Sequence, residues 1–267
     1  MTATRFAVER SDDPRLDPYR DIRERDLRRR DGLFVAEGTV VLEALSRSDD
    51  FGAVSLLVLE NRVNGIAHIL DGFGAHVPAY IAPRAVIDSV AGFPMHRSVL
   101  ALARRNKAHE VGDLLRNRPD RVLLLCNLAN HDNVGACFRI ASAFGVGAVI
   151  ADKGTADPLY RKAIRVSTGA VLRVPHVHGG TIEQHIETVR RLDYRVIALS
   201  PGSETAIDRL DLDRPIVLLV GSEGPGLPSD LIESLDTAAI RMAQGHDSLN
   251  VATSAAIALY ELAKQRR

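Results

Sequence analysis

The chain has 267 residues, enough for one large domain or two modest ones. Its 34 basic and 34 acidic residues cancel to a formal net charge of +0, so a nucleic-acid contact would have to rest on local patches. Hydrophobic residues at 46% and charged residues at 25% are ordinary for a globular chain, and no apolar run approaches the roughly 20 residues of a membrane span. The first twenty residues lack the apolar core of a signal peptide, so a cytoplasmic protein with no membrane partner is expected. Cys126 and Cys137 have no C-x-x-C spacing and are read as buried, reduced thiols.

Residues 11–31 are punctuated by Pro14 and Pro18 and are otherwise helix-prone and heavily charged. They read either as a solvated helix laced by i,i+3 and i,i+4 pairs or as a local phosphate-contacting patch. From Leu33 the pattern predicts a strand (33–37) and a helix entered through Gly38. Strands at 53–60, 75–82 and 98–105 follow, alternating with helices at 61–71 and 83–90. Residues 104–121 are polar and read as a connection, with Arg104, Arg105 and Lys107 able to line a groove. Buried-type strands are predicted at 122–126, 148–151, 172–176, 194–200, 216–220 and around Ile240–Met242. Helices are predicted from Asn133 to the glycines at 145 and 147, then at 157–167, 181–192 and 228–235. The last helix starts near Ser248–Asn250. Strands alternating with helices imply an α/β, doubly wound parallel sheet, in which ligands bind at the carboxyl edge.

Several site chemistries have no support. There is no phosphate-binding G-x-x-x-x-G-K-[ST] loop, no early G-x-G-x-x-G turn and no G-x-S-x-G elbow. His176 and His178 fit an alternating strand better than a zinc site. Three constellations remain. Asn127, Asn130, Asn133, Gly135 and Arg139 surround the start of one helix. Arg139 there is either a snorkelling edge residue or an anchor for an anion. Gly221–Pro228 with Glu223 is either a glycine-rich turn or a loop that lets a ligand approach bare backbone. Ser248, Leu249 and Asn250 precede the last helix, where serine and asparagine are good caps.

Taken together and in order, the motifs N-x-G-x-x-x-R (133–139), G-S-E-G-x-G-L (221–227) and I-x-M-x(5)-S-L-N-V-x-x-A (240–255) resemble those of the SpoU/TrmH-type RNA 2′-O-ribose methyltransferases of the SPOUT superfamily. The resemblance covers residues 122–263. More weakly, GLFVAEG and its helix are similar to the small RNA-binding domain that precedes many members. It implies residues 1–107 as an N-terminal α/β RNA-binding domain, 108–121 as a linker, and 122–267 as a SPOUT methyltransferase domain. In that domain a parallel-sheet α/β/α fold would thread into a trefoil knot. Periodicity alone could not indicate a knot, because knots are rare exceptions to the topology rules.

The resemblance also implies the chemistry. S-adenosylmethionine would bind near Leu199, Ser200, Gly221, Glu223, Ile240, Met242 and Leu249, held mostly by backbone groups. Arg139 would be the key catalytic residue, as base or as an anchor for the ribose and its phosphate. Base chemistry is demanding for a group that stays protonated. Asn133, Glu223, Ser248 and Asn250 would order the loops and place the nucleotide. The substrate would be structured RNA, with ribosomal RNA favoured over transfer RNA, and the protein a homodimer. The competing readings are a non-catalytic RNA-binding or ribosome-assembly protein on the same fold, a transfer-RNA 2′-O-methyltransferase, and a relative that methylates a base.

Overall fold

A computed structural model of the protein describes residues 2–22, 32–92, 94, 99–222, 226–243 and 248–265. The chain divides into two units. The first comprises Met1–Ala108 and Leu159–Arg173, and the second His109–Pro158 and Val174–Arg267.

The first unit is built on a five-stranded mixed sheet in the order β1-β4-β3-β5-β2. Its strands are β1 (Thr4–Ala7), β2 (Leu33–Glu37), β3 (Phe51–Leu59), β4 (Pro78–Ala82) and β5 (Val99–Arg105). β4 runs parallel to β1 and β3, whereas β5 runs antiparallel to β3 and β2. Helix α1 (Thr39–Ser46) follows Gly38, whose φ of 100° suits glycine at the strand-to-helix turn. A short helix, α2 (Ala67–Leu70), and α3 (Arg84–Ala91) complete the connections. The charged segment forms a 3-10 helix over Pro14–Ile22, tighter than the α-helix its charge spacing suggests and with Pro18 inside it. Its arginines are neutralised locally, in the pairs Arg15–Asp13 and Arg20–Asp17. Residues 23–31, with the remaining arginines of that run, lie outside the described residues.

Tyr19, fully buried, pins this segment to the sheet. Its hydroxyl lies 2.7 Å from Ser55 Oγ and accepts from the Leu102 amide at 3.4 Å. Removing the hydroxyl would leave Ser55 without that partner inside the core. Tyr19→Phe is therefore expected to lower stability by about 1–2 kcal/mol, read as a fall in thermal midpoint without loss of fold.

Leu159–Arg173 lies far from the rest of this unit in sequence and was expected in the second domain. The segment contains α6 (Arg161–Val166; α4 and α5 precede it in the second unit) and a 3-10 turn over Ala170–Leu172. Ala163, Ile164, Ala170, Val171 and Leu172 are buried, so the segment supplies part of the unit's apolar core. Gly169, at φ +76°, packs so closely on α1 that a Cβ there would come 3.0 Å from Ala44 Cβ. Arg161 reaches the buried carboxylate of Glu37 at 3.2 Å. The strand expected at Leu172–His176 is corrected accordingly. The left-handed Gly169 starts a turn, and extended pairing begins only at His176.

The second unit holds a six-stranded, wholly parallel sheet in the order β11-β9-β10-β6-β7-β8. Its strands are β6 (Arg121–Leu125), β7 (Ala148–Ala151), β8 (His176–His178), β9 (Arg195–Leu199), β10 (Ile216–Val220) and β11 (Asp236–Ala238). The central strands β6 and β10 have almost no exposed side chain, as expected of a sheet covered on both faces. Val122, Leu124, Val217 and Leu219 join a core with α4 (Val111–Leu114), α7 (Ile182–Arg191) and α8 (Ser229–Ser234). Residues 108–121, expected as a linker, instead carry Val111 and Leu115 into that core. Leu123, Leu125, Leu218 and Val220 alternate to the other face and are equally buried. The helices α5 (His131–Ala143) and α9 (Val251–Gln265), which pack on each other, make the second layer.

The strand expected at Ile240–Met242 is displaced. Pairing with β9 falls on the polar stretch Asp236–Ala238, because that register places Ala238 opposite Leu199. The chain leaving β11 is then held by backbone bonds from Ala239 to Thr205 and from Ile207 to Ala239. Among the described residues, no helix is long and apolar enough to cross a membrane, and no group of His, Cys, Asp or Glu could hold a metal ion.

Candidate active site

At the carboxyl edge of β9 and β10 lies a cavity of about 620 Å³. This is a size suited to a small molecule. Leu199, Ser200 and Pro201 line it from the end of β9. Val220, Gly221, Ser222, Gly226 and Leu227 line it from the end of β10. Ile240, Met242 and Ser248–Val251 close it from the segment between β11 and α9. Leu199, Ser200, Gly221, Ile240, Met242, Ser248, Leu249 and Asn250, all singled out in the sequence, therefore surround one space. Glu223 lies outside the described residues. Pro201, Ile232 and Ser254 also contribute lining and were not singled out. Their proximity in sequence to the marked loops was the available signal.

The β10 loop folds tightly against itself. Ser222 and Gly226 form an isolated antiparallel bridge, and Ser222 Oγ donates to the Gly226 carbonyl at 3.3 Å. Gly226 holds φ +70°. At Gly221 a Cβ would come 2.8 Å from Leu227 N and 2.9 Å from the Gly226 carbonyl carbon. The backbone there is thus bare by necessity, and a ligand in the cavity can approach the peptide edge of the loop.

Asn250 joins two motifs that are far apart in sequence. Its Oδ1 accepts from the amides of Ala252 at 3.0 Å and Thr253 at 3.3 Å, capping α9. The cap orients the amide, so Nδ2 is free to donate to Asn133 Oδ1 at 3.0 Å. Asn133 is buried in the first turn of α5, which Asn130 caps by accepting from the Asp132 amide at 2.8 Å. The cap reading and the site reading of Asn250 are both realised. Asn250→Ala is expected to cost about 1–2 kcal/mol, because it removes the cap and leaves Asn133 unpaired. Asn250→Ser retains a capping hydroxyl but cannot reach like the amide, so its thermal midpoint should fall between wild type and the alanine variant.

Arg139 is the exception to this convergence. It sits on the exposed side of α5, while Phe138 and Gly135 face inward. It does not line the cavity, and no side-chain hydrogen bond or ion pair joins it to another described residue. Nearby on α9, Tyr260 is 54% exposed and meets Phe144 edge-on at 6.1 Å. The two cysteines take no part in this chemistry. Both are buried and free, and burial pushes their thiols up to about 12.

The chain matches the model of the SpoU rRNA Methylase family over residues 120–260, more than half its length. It belongs to the SpoU rRNA Methylase family. The SpoU match spans β6 to α9 and so contains every segment that lines the cavity. A relative from Mycobacterium tuberculosis (strain H37Rv), named an uncharacterized tRNA/rRNA methyltransferase, is 37% identical over 260 residues. That alignment covers 94% of this chain and 88% of the relative. A protein of the same description from Mycobacterium avium (strain 104) is 30% identical over 246 residues, 88% of this chain and 71% of that one. Among solved structures, an RNA 2′-O ribose methyltransferase has a TM-score of 0.81 at 26% identity, covering 98% of this chain and 99% of the other. The SpoU methyltransferase AviRb from Streptomyces viridochromogenes, solved with the cofactor AdoMet, shares the fold. Its TM-score is 0.81 at 24% identity, over 95% of this chain and 99% of the other.

Proposed function

We propose that this protein transfers a methyl group from S-adenosylmethionine to a ribose 2′-hydroxyl of structured RNA, with ribosomal RNA the favoured substrate and transfer RNA the other candidate. The observation that carries this reading is the convergence of the β9, β10 and pre-α9 loops of a SpoU chain on one cavity with a bare backbone wall at Gly221. The cavity fits the cofactor. Leu199, Ile240, Met242 and Leu249 offer apolar surface for an adenine ring, and the peptide edges around Ser200 and Gly221 offer donors and acceptors. When bound, the cofactor supplies an electrophilic methyl group. The chain's own task is to hold a neutral hydroxyl in line with that methyl and to assist departure of its proton.

Arg139 is the residue suited to orient the ribose and its phosphate through its planar, permanently charged fork. Arg139 does not line its own chain's cavity, and the reading has the partner's Arg139 reach the site across a homodimer. The exposed Tyr260 beside Phe144 gives such an interface an aromatic anchor. Ser248 and Asn250 order the mouth of the cavity, Asn133 fixes Asn250, and Glu223 belongs to the same loop as Gly221. The same reading places this part of the chain, after β9 and β11, in the trefoil-knotted path of the SPOUT fold. The N-terminal region serves as the RNA-selecting domain of a cytoplasmic enzyme.

The test is incubation with labelled S-adenosylmethionine and total RNA from cells lacking the gene, with the product mapped as a nuclease-resistant dinucleotide. Label in such a dinucleotide is the expected result. Cofactor binding without transfer to any RNA would favour the ribosome-assembly reading, and label in a base would move the protein to another SPOUT branch.

A further inference from the structure

The carboxyl edge of the second unit carries a buried carboxylate that the proposed chemistry leaves unused. Asp152 follows β7, and its side chain is buried. Its Oδ1 accepts three hydrogen bonds, from the Asn127 amide at 3.0 Å, the Thr155 amide at 2.9 Å and the Thr155 hydroxyl at 2.7 Å. Thr155 Oγ1 accepts in turn from the Leu128 amide at 3.2 Å. Two successive amides just past the end of β6 are thus held by side chains of another loop. The Leu128 carbonyl closes the clamp by accepting from the Ala156 amide at 2.8 Å. Asn127 sits at φ 56°, a left-handed conformation uncommon outside glycine. Such a conformation persists where its surroundings over-determine it, and here a buried carboxylate does so.

The clamped residues lie between the two halves of the site. Immediately before them, the Cys126 amide donates to the Val220 carbonyl at 2.9 Å, one residue from the cavity wall at Gly221. Shortly after them, Asn130 caps α5, and Asn133 in its first turn accepts from Asn250. We propose that Asp152 is a positioning residue for methyl transfer, fixing the connection from β6 to α5 and so setting where α5 presents Asn133 and Arg139. The proposal rests on the methyltransferase reading above. Asp152 does not line the cavity and acts only through the loop that it holds. Its loss frees Asn127 to leave the left-handed conformation, and the start of α5 moves with it. Misplacing a reacting group by about 1 Å costs on the order of 100-fold in rate.

The experiment follows methyl transfer to total RNA from cells lacking the gene, together with the NMR signals of the Asn250 side-chain amide. Asp152→Ala is expected to lower the rate at saturating RNA and cofactor on the order of 100-fold, with both KM values within about threefold of wild type. Asp152→Asn keeps an Oδ1 able to accept the same three bonds, and its rate should stay within about threefold of wild type. Thr155→Val removes the hydroxyl that joins Asp152 to Leu128 and should fall between these two, whereas Thr155→Ser should behave as wild type. The Asn250 amide signals should move in Asp152→Ala and Thr155→Val and stay in place in the Asn and Ser variants. Val189→Ala, a core change on α7, is the control for lost stability alone, and its rate should hold. If Asp152→Ala does not fold, Thr155→Val against Thr155→Ser carries the same comparison. An undiminished rate in Asp152→Ala, an Asn variant as slow as the Ala variant, or an equal loss in Val189→Ala would overturn the proposal. So would Asn250 signals that ignore the loss of Asp152. Wild-type protein that transfers no methyl group would count against the enzymatic reading, and the Asn250 signals would still decide whether Asp152 sets the site.

Discussion

Arg139→Ala is expected to depress methyl transfer by on the order of 10²–10³ or more while leaving the affinity for S-adenosylmethionine within about twofold. The reasoning is geometric. The cofactor cavity is complete without Arg139, whose side chain lies on the outer face of α5. Its removal should therefore spare binding and damage only the orientation of the ribose. The same geometry makes a sharper demand. If the residue acts across a two-fold interface, mixing the Arg139→Ala chain with a chain whose cavity is spoiled at Gly221 should restore activity. Random pairing gives half heterodimers with one competent site each, about a quarter of wild-type sites. Both variants must remain dimeric by light scattering. A silent mixture of two dimeric variants would assign Arg139 to its own chain's site.

Gly221→Ala carries the second large effect. The added methyl would sit 2.8 Å from Leu227 N and 2.9 Å from the Gly226 carbonyl carbon. Real Cβ atoms do not tolerate that distance to backbone, so the loop must move. Because the loop forms one wall of the cavity, the expected result is a loss of cofactor affinity of on the order of 100-fold or more, read by calorimetry. The fold should survive, since the change lies at a sheet edge. Gly202 is the matched control, with open space around its Cβ position. Gly202→Ala should bind the cofactor as wild type does. A Gly221→Ala protein that binds within about threefold of wild type would detach this loop from the cofactor.

Much of this was legible in the residues, and for identifiable reasons. Ile216–Val220 and Val122–Leu125 are runs of large aliphatic residues, which only a strand buried on both faces accommodates. The loops at 221–227 and 248–250 announce themselves because glycine clusters and caps are local properties. What escaped was decided by partners distant in sequence. β1 (TRFA) is short and wholly exposed, so no burial pattern marks it. β11 is the polar triplet Asp236–Ala238, chosen by its register against β9 over the more apolar Ile240–Met242. The membership of Leu159–Arg173 in the first unit was invisible because its apolar spacing fits a core on either side. Arg139 was legible only as a candidate, either an edge residue or an anion anchor, since 3.6-residue periodicity leaves it at the border of the buried stripe.

The excursion of residues 159–173 has a consequence in time. Ribosomes deliver roughly 5–20 residues per second, and domains ordinarily close as soon as their last residue emerges. The first unit cannot do so at Ala108, because Ile164, Val171 and Leu172 belong to its core and have yet to be made. For several seconds its sheet waits with an apolar face uncovered, while β6, α5 and β7 of the other unit appear. The nascent protein therefore assembles as an interleaved pair rather than bead after bead. Release from synthesis at Ala108 would leave a chain exposed to chaperones and to aggregation.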